Sequence, residues 1–266
     1  MTVIYLIRHS APFVEIDNYD DYKNILWSEY NKNMILSSQG EANAKKLCNV
    51  KELTDIKEIY ASNSSRAIET AKYLAESNNL KIKLDERINE REFGVEYIKD
   101  LPDNFNKISF DDKTFKMKDG ESLNDVDNRF KSFIDEILKK DVDKIAIVMH
   151  GIILLSYLKT ICDCFEFDGR KFNISYNDKL KAVKNDDNCT LLIIKPKTKE
   201  ENGKTVIINE KEYKESDLIW IGGYVYAFTK EKANCCLKSS YLNDEQISRL
   251  KTLNFIFDWE VDRVLN

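Results

Sequence analysis

The chain has 266 residues and a net charge of −5, which allows one sizeable α/β domain with an appended segment. Lys and Arg are scattered along the chain, which excludes a broad basic face of the kind that binds nucleic acid. No apolar stretch approaches the roughly 18 residues of a membrane span, and the first predicted strand begins at residue 2, so we expect a cytoplasmic protein without a membrane partner.

The N-terminal part predicts a strand, a long loop and a helix. Residues 2–7 are an apolar run that leads into Arg8-His9, and a polar, aromatic loop then extends from residue 10 to about residue 34. Ser37 or Ser38 is expected to cap a helix that runs to about residue 53, with Ser38 and Glu41 at capping-box spacing. The loop is long enough to cover a pocket.

A second unit of strand and helix follows. Residues 56–61 predict a short strand, and a serine cap at Ser64-Ser65 opens a helix with Arg66 in its first turn. An arginine at a helix start is suited to bind phosphate, although a solvated surface arginine has the same pattern. Residues 82–84 predict a third strand, and the acids and arginines of 85–94 come after it.

Residues 95–119 are expected to be irregular, and residues 120–195 to return to regular structure. Ser122 and Asp125 predict the cap of an amphipathic helix, and residues 145–149 form an apolar strand that leads into His150-Gly151. A helix over 152–161 and a buried strand over 190–195 complete the pattern. This alternation predicts a three-layer, doubly wound α/β fold with a mostly parallel sheet and helices on both faces.

The remaining residues predict a C-terminal β/α extension. We expect a domain over residues 1–195 and an extension over 196–266 that packs on it. Residues 201–204 contain the pair Asn202-Gly203, which is typical of a hairpin between two β-prone runs. Residues 218–228 predict a further strand and residues 243–253 a helix, and no functional motif stands in this segment.

The two histidines of the chain are its most informative residues. His9 and His150 each follow directly on a buried strand. The residues just past such strands line the ligand crevice of open α/β folds, so we expect both imidazoles at one site. The alternative is that each is a solitary histidine with a hydrogen bond at a strand end.

Six short blocks stand in order along about residues 2–195. They are Arg8-His9-Ser10, Leu36-Ser37-Ser38-Gln39-Gly40, the run from Ala61 to Ala71 that contains Arg66, Asn89-Glu90-Arg91-Glu92-Phe93-Gly94, Gly120-Glu121-Ser122 and Val148-Met149-His150-Gly151. Together and in this order, they are similar to the motifs of the histidine phosphatase superfamily, also called the phosphoglycerate mutase-like family. Ser10 departs from the glycine of the family. If that position serves through its carbonyl, which would hold the ring of His9, serine retains the group.

The resemblance implies phosphoryl transfer through a covalent phosphohistidine. His9 would attack phosphorus, and Glu90 would protonate the leaving oxygen and then activate water. Arg8, Arg66, His150 and Gly151 would bind the phosphoryl oxygens. No metal and no cofactor are then required, and the partner is a small phosphorylated substrate. Consistent with this, the six cysteines lack zinc-site spacing and are expected to be reduced thiols.

Two alternatives remain beside a phosphatase. A cofactor-dependent phosphoglycerate mutase is favoured by the Asn-Glu-Arg run of 89–91, but residues 95–119 lack the arginine-rich, proline-rich insertion of the mutases. A non-catalytic binding protein of the same fold would be expected to lose His9, Arg66 or Glu90, and all three are present. We expect substrate specificity to depend on residues 11–35 and 93–119, which match no motif, so the sequence names neither the substrate nor the oligomeric state.

Overall fold

The computed structural model describes residues 3–13, 24, 26–161 and 164–167 and, for their backbone, the strands named below between residues 171 and 221. The central sheet has six strands in the order β11-β8-β1-β4-β2-β3. They are β1 (Val3–Arg8), β2 (Glu58–Ala61), β3 (Ile82–Leu84), β4 (Lys144–Met149), β8 (Leu191–Ile194) and β11 (Ile219–Ile221).

The sheet is mostly parallel. β4 pairs in parallel with β1 on one side and with β2 on the other, and β2 pairs in parallel with β3. β8 is antiparallel to β1, and β11 is antiparallel to β8. The chain therefore passes from β1 outward to β3 and returns to place β4 beside β1, which creates a topological switch point at the carboxyl ends of these two strands.

Helices cover both faces of the sheet, as predicted. They are α1 (Trp27–Asn33), α2 (Ser38–Lys46), α3 (Ser65–Asn78), α4 (Phe105–Asp111), α5 (Leu123–Ile137) and α6 (Gly151–Ile161). Tyr5 and Ile7 of β1 pack in the core with α3, whereas Ile4 and Leu6 pack in the opposite core with α5 and α6. This alternation of buried side chains along one strand makes the three layers of the predicted fold.

The helix starts confirm the predicted caps of α2 and α5. Ser64 stands at the N-cap of α3, but its side chain makes no capping hydrogen bond, so that predicted cap is present in position only. Ser122 and Asp125 form the predicted capping box of α5. Ser37 caps α2 by accepting from the backbone N–H of Gly40, so the capping box predicted for Ser38 and Glu41 is wrong. The carboxylate of Glu41 instead accepts from the Tyr73 hydroxyl, a tertiary contact with α3 that replaces the local one.

Other boundaries also differ from the predicted ones. Helix α2 ends at Lys46, and two short 3-10 turns over Leu47–Asn49 and Lys51–Leu53 follow it. The segment 95–119, predicted to be irregular, contains α4 and a 3-10 turn over Ile98–Asp100. Strands β5 (Cys164–Phe167), β6 (Lys171–Tyr176) and β7 (Lys179–Lys184) form a separate antiparallel sheet that was not predicted.

The hairpin predicted around residues 201–204 is wrong for the described strands. β9 (Thr205–Ile208) pairs with β10 (Lys211–Lys214), the run that follows it. β8, the run before it, has both of its edges occupied by β1 and β11, so it has no edge left for β9. The predicted strand over 218–228 is described only as β11, and the predicted helix over 243–253 lies outside the described residues.

Candidate active site

His9 lies at the carboxyl end of β1, next to His150. Its backbone N–H donates to Met149 O over 2.8 Å, which extends the pairing of β1 with β4. The centroids of the two imidazole rings are 5.1 Å apart, with an angle of 59° between the ring planes. The structure thus brings together the two histidines that the sequence placed after separate strands.

One hydrogen bond determines the tautomer of His9. Its Nδ1 lies 2.7 Å from the carbonyl oxygen of Ser10, and because a carbonyl only accepts, Nδ1 must carry the proton. Nε2 therefore keeps its lone pair. Burial and then the charges of Arg66 and Arg8 lower the pKa of His9 well below its usual value, so the ring is neutral near pH 7.

Ser10 provides that carbonyl, and its side chain is bonded elsewhere. The Ser10 hydroxyl donates to Gly40 O over 2.5 Å, and its backbone N–H donates to Thr70 Oγ1 over 2.9 Å. Gly40 allows this approach, because a Cβ at that position would lie 2.0 Å from Ala11 O. Serine in place of the family glycine thus ties the loop after His9 to the start of α2.

His150 is fully buried and has the opposite tautomer. Its Nδ1 lies 3.0 Å from Arg66 Nη2, and since a guanidinium only donates, Nδ1 accepts. The proton of the neutral ring then lies on Nε2 and is donated to Ser62 Oγ over 2.7 Å. Burial, Arg66 and His9 lower the pKa of His150 well below its usual value, in agreement with the neutral form.

A pair of polar residues that the sequence analysis did not assign to the site supports His150. Ser62 Oγ donates onward to Asn89 Oδ1 over 3.0 Å, and the backbone N–H of Asn63 donates to the same oxygen over 2.8 Å. Ser62 is held in place by its own backbone N–H, which donates to Val148 O. Both residues stand in the family-like blocks, and that is the signal that could have identified them.

Arg66 lies inside the site, so the alternative of a solvated surface arginine is wrong. Arg66 is 2% exposed, and its Nη1 donates to Asn31 O over 2.7 Å and to Tyr30 O over 3.2 Å. Its Nη2 contacts Asn31 Oδ1 at 3.3 Å as well as His150. Asn31 comes from α1, and no sequence signal pointed to it.

Glu90 lies near the same nitrogen of His150 that Arg66 contacts. Its Oε2 is 3.8 Å from His150 Nδ1, and its Oε1 accepts from the backbone N–H of Arg91 over 2.9 Å. Burial raises the pKa of Glu90, against the opposing charges of Arg66 and Arg8. A carboxyl group with a raised pKa holds its proton to higher pH, which suits a proton donor.

Arg8 and Gly151 meet where β1 ends and α6 begins. A Cβ at position 151 would lie 2.9 Å from Arg8 Nε and 3.0 Å from Arg8 Cζ, so only glycine accommodates the guanidinium in this place. Arg8 and Glu90 also line a cleft of about 470 Å³. The predicted residues thus surround one position, with two guanidinium groups against one carboxyl group, an arrangement suited to bind an anion.

The cleft draws most of its lining from the two segments expected to set specificity. Trp27 and Tyr30 come from residues 11–35, and most of the rest comes from residues 93–119. Ile152 and Phe167 also line it and were not predicted. Aromatic rings from both segments meet there: Trp27 stacks on Phe93 with centroids 3.9 Å apart, and Phe93 contacts Phe105 edge to face at 5.1 Å.

Among the residues that the structure describes, no cluster of three or more His, Cys, Asp or Glu side chains has the geometry to bind a metal ion. None of the helices in the described part of the chain has the length and apolar character needed to span a bilayer.

Two solved structures of other proteins have a similar fold. The mycobacterial glucosyl-3-phosphoglycerate phosphatase is 16% identical, with a TM-score of 0.54 over 85% of this chain and 99% of that protein. The Bacillus stearothermophilus protein YhfR is 20% identical, with a TM-score of 0.53 over 82% of this chain and 96% of that protein. At these identities the likeness shows the fold.

Sequence comparison extends the likeness beyond the fold. Phosphoserine phosphatase 1 of Hydrogenobacter thermophilus is 27% identical over 156 residues, which cover 56% of this chain and 70% of that protein. The model of the histidine phosphatase superfamily (branch 1) matches residues 4–193, the part of the chain that contains His9, Arg66, Glu90 and His150. The chain therefore belongs to the histidine phosphatase superfamily.

Proposed function

We propose that the protein hydrolyses a small phosphomonoester through a phosphohistidine on His9. The observation that carries this proposal is the hydrogen bond from His9 Nδ1 to Ser10 O, which leaves a lone pair on Nε2 in a ring that is neutral near pH 7. A nucleophile needs that lone pair at working pH. The phosphatase names of the relatives support the same reaction class.

The reaction proceeds in two steps. In the first, His9 Nε2 attacks phosphorus, the P–N bond forms as the ester P–O bond breaks, and Glu90 gives its proton to the departing alkoxide. In the second, the Glu90 carboxylate takes a proton from water, the water oxygen attacks phosphorus, and the P–N bond breaks. Inorganic phosphate leaves and His9 returns to its neutral form.

Arg8, Arg66, His150 and the backbone N–H of Gly151 hold the phosphoryl oxygens in this proposal. Both arginines lie in the site before substrate arrives, and their charges lower the pKa of His9. Preorganised donors of this kind stabilise the charge that builds on the oxygens in the transition state. His150 donates from Nδ1 only if it gains a proton or changes tautomer when the phosphate binds, because Nδ1 accepts from Arg66 in the free site.

The segment between Gly94 and Gly120 favours a phosphatase over a mutase. Residues 95–119 contain no arginine, and they form α4 and a 3-10 turn beside the cleft. The two lysines that line the cleft, Lys99 and Lys107, already contact Asn24 and Asp111. The described lining thus lacks the free cationic side chains that a mutase needs to bind the carboxylate of its substrate.

We propose that residues 196–266 pack on the domain of residues 1–195, and the pairing of β11 with β8 in the central sheet supports this. We also propose a cytoplasmic location, as expected from the sequence.

The direct test is turnover of a panel of phosphomonoesters, measured by release of inorganic phosphate. We expect hydrolysis by the native chain and loss of at least about a thousandfold in kcat for His9→Ala. Lys131→Ala is a matched control, because Lys131 is exposed and forms an ion pair with Asp135 away from the cleft. Turnover that survives in His9→Ala, or no turnover on any ester, would contradict the proposal and favour a binding protein.

A further inference from the structure

The cleft beside Arg8 and Glu90 is the place where the leaving group of the substrate would lie. Its volume of about 470 Å³ falls within the range of ligand pockets, about 300–1,000 Å³. A leaving group the size of serine would leave most of that space filled with water. The volume therefore fits a larger alcohol.

The chemistry of the lining indicates a ring. Trp27, Phe93 and Phe105 form an aromatic wall, in which consecutive rings lie 3.9 and 5.1 Å apart. Phe167 and Ile152 add further apolar surface to the cleft. Trp27 and Phe105 are buried and Phe93 is half-buried, so the ring of Phe93 is the main surface that the wall offers to a flat group.

Asp103 and Glu90 also line the cleft, and their carboxyl groups disfavour a leaving group with a fixed negative charge. The cations that line the described part of the cleft are Arg8, Lys99 and Lys107. Lys107 is paired with Asp111 at 2.6 Å, and Lys99 donates to Asn24 Oδ1 at 3.2 Å. We have assigned Arg8 to the phosphate. A carboxylate on the leaving group would have to compete for lysines that already have partners.

Trp27 and Asn106, which line the cleft, each have a polar atom without a partner among the residues that the structure describes. Trp27 is 4% exposed, and its Nε1–H has no acceptor among the residues that the structure describes. Oδ1 of Asn106, another lining residue, is likewise buried without a donor there. Buried N–H groups are nearly always paired, and an unpaired one is costly, so an acceptor from a bound molecule would remove that cost.

We infer that the leaving group is an uncharged, ring-bearing alcohol that packs on the aromatic wall and presents a hydrogen-bond acceptor to Trp27 Nε1. This inference rests on the proposed phosphatase activity and specifies its substrate class. It makes Trp27 a residue that determines specificity, because its indole N–H recognises an atom that a plain hydrocarbon ring lacks.

Three synthetic substrates separate the parts of the inference. Benzyl phosphate and pyridin-3-ylmethyl phosphate share size and shape, but only the second carries a ring acceptor, and O-phosphoserine is small and charged. We expect kcat/KM for both ring esters to exceed that for O-phosphoserine at least about a hundredfold. The pyridyl ester should exceed the benzyl ester about tenfold, the effect of one hydrogen bond.

Two matched variants locate the effect. In Trp27→Phe the ratio of pyridyl to benzyl kcat/KM should fall to about one, because phenylalanine keeps a ring but has no N–H. Trp220→Phe makes the same exchange on β11, which contributes no residue to the described lining, and should keep the native ratio. If Trp27→Phe does not fold, the ratio measured on the native protein still tests the acceptor.

The outcomes distinguish this inference from the proposed function. Turnover of ring esters that depends on His9, but with O-phosphoserine equal or better, would overturn the inference and leave the phosphatase assignment in place. A native pyridyl to benzyl ratio near one, or a ratio unchanged in Trp27→Phe, would overturn the role of Trp27. Absence of turnover on all three esters and on the wider panel would refute the proposed function, and the inference with it.

Discussion

Exchange of Arg66 for lysine tests whether the site needs a planar guanidinium, a fork of two N–H donors that can bind two acceptors at once. The Arg66 guanidinium reaches Asn31 O at 2.7 Å through Nη1 and His150 Nδ1 at 3.0 Å through Nη2. Lysine has a single nitrogen, so it cannot hold both acceptors, nor two oxygens of a phosphate, in the same geometry. The charge is kept and the fork is lost.

The structure sets the size of the effect. Each hydrogen bond from a charged donor contributes about 1.5–3 kcal/mol, and Arg66→Lys loses at least one of them inside a buried site. We therefore expect the free energy of unfolding to fall by about 1.5–3 kcal/mol. The lost fork should also raise the barrier by about 3 kcal/mol, which corresponds to a loss of roughly a hundredfold in kcat/KM.

Arg87→Lys is the matched control. Arg87 is 29% exposed in its side chain and forms ion pairs with Asp85 and Glu136 outside the site. Because these pairs lie outside the site, the exchange should change kcat/KM by less than about twofold, while loss of the two-point contact with Asp85 should lower the free energy of unfolding by about 1 kcal/mol. Steady-state kinetics and urea unfolding of both variants provide the comparison. Equal kinetics for the two variants would refute the assignment of Arg66 to the phosphate site.

Three further predictions concern the rest of the site. Gly151→Ala should lower kcat/KM about tenfold, because the added Cβ displaces the flexible Arg8 side chain, and should lower the free energy of unfolding by less than about 1 kcal/mol. Native kinetics for this variant would show that the position of Arg8 does not matter. The profile of kcat/KM against pH, corrected for ionisation of the substrate, should have its acidic limb below pH 6.5, since activity is lost only as the pH falls through the lowered pKa of His9. Its alkaline limb should follow the raised pKa of Glu90, because deprotonation removes the proton donor, and an acidic limb at or above pH 6.5 would contradict the neutral imidazole. Turnover should not change in EDTA, whereas loss in EDTA with recovery on added magnesium would refute a site that balances the phosphate charge with arginine.

The sequence predicted the meeting of His9 and His150 for a reason that depends only on the strands. Parallel strands end at the same edge of a sheet, so residues that follow two of them are neighbours if the strands pair. That β1 and β4 are adjacent could not be read from the alternation of elements, because β4 returns to the centre of the sheet after β3. The family-like blocks supplied Arg66 and Glu90 independently of that order.

The second layer of the site could not be predicted in the same way. Asn31 reaches Arg66 because α1 approaches the start of α3, and that approach has no local signature in residues 27–33. Helix α4 was missed for a similar reason. Its position depends on the buried guanidinium of Arg91, which donates to Ser109 Oγ and Phe115 O. Contacts of this type are tertiary, and a periodicity of apolar residues does not report them.

The C-terminal prediction failed because strand pairing is a competition. An Asn-Gly pair favours a tight turn, but a hairpin also needs a free edge on both flanking strands. β8 is an apolar run that lies between β1 and β11 in the central sheet, so the following strand β9 pairs with β10 instead.

The central claim is that phosphate is carried on His9, and trapping of the phosphoenzyme tests it most directly. In Glu90→Gln, attack by water should be slowed, so the intermediate should accumulate with an aryl phosphate, whose leaving group needs little protonation. A denaturing quench at alkaline pH, rapid digestion and mass spectrometry should then find a phosphate on the peptide that contains His9, and this phosphate should be stable in base and lost in acid. Phosphate on the peptide of His150, or on a serine or cysteine, would contradict the account, as would the absence of any phosphoenzyme while turnover continues.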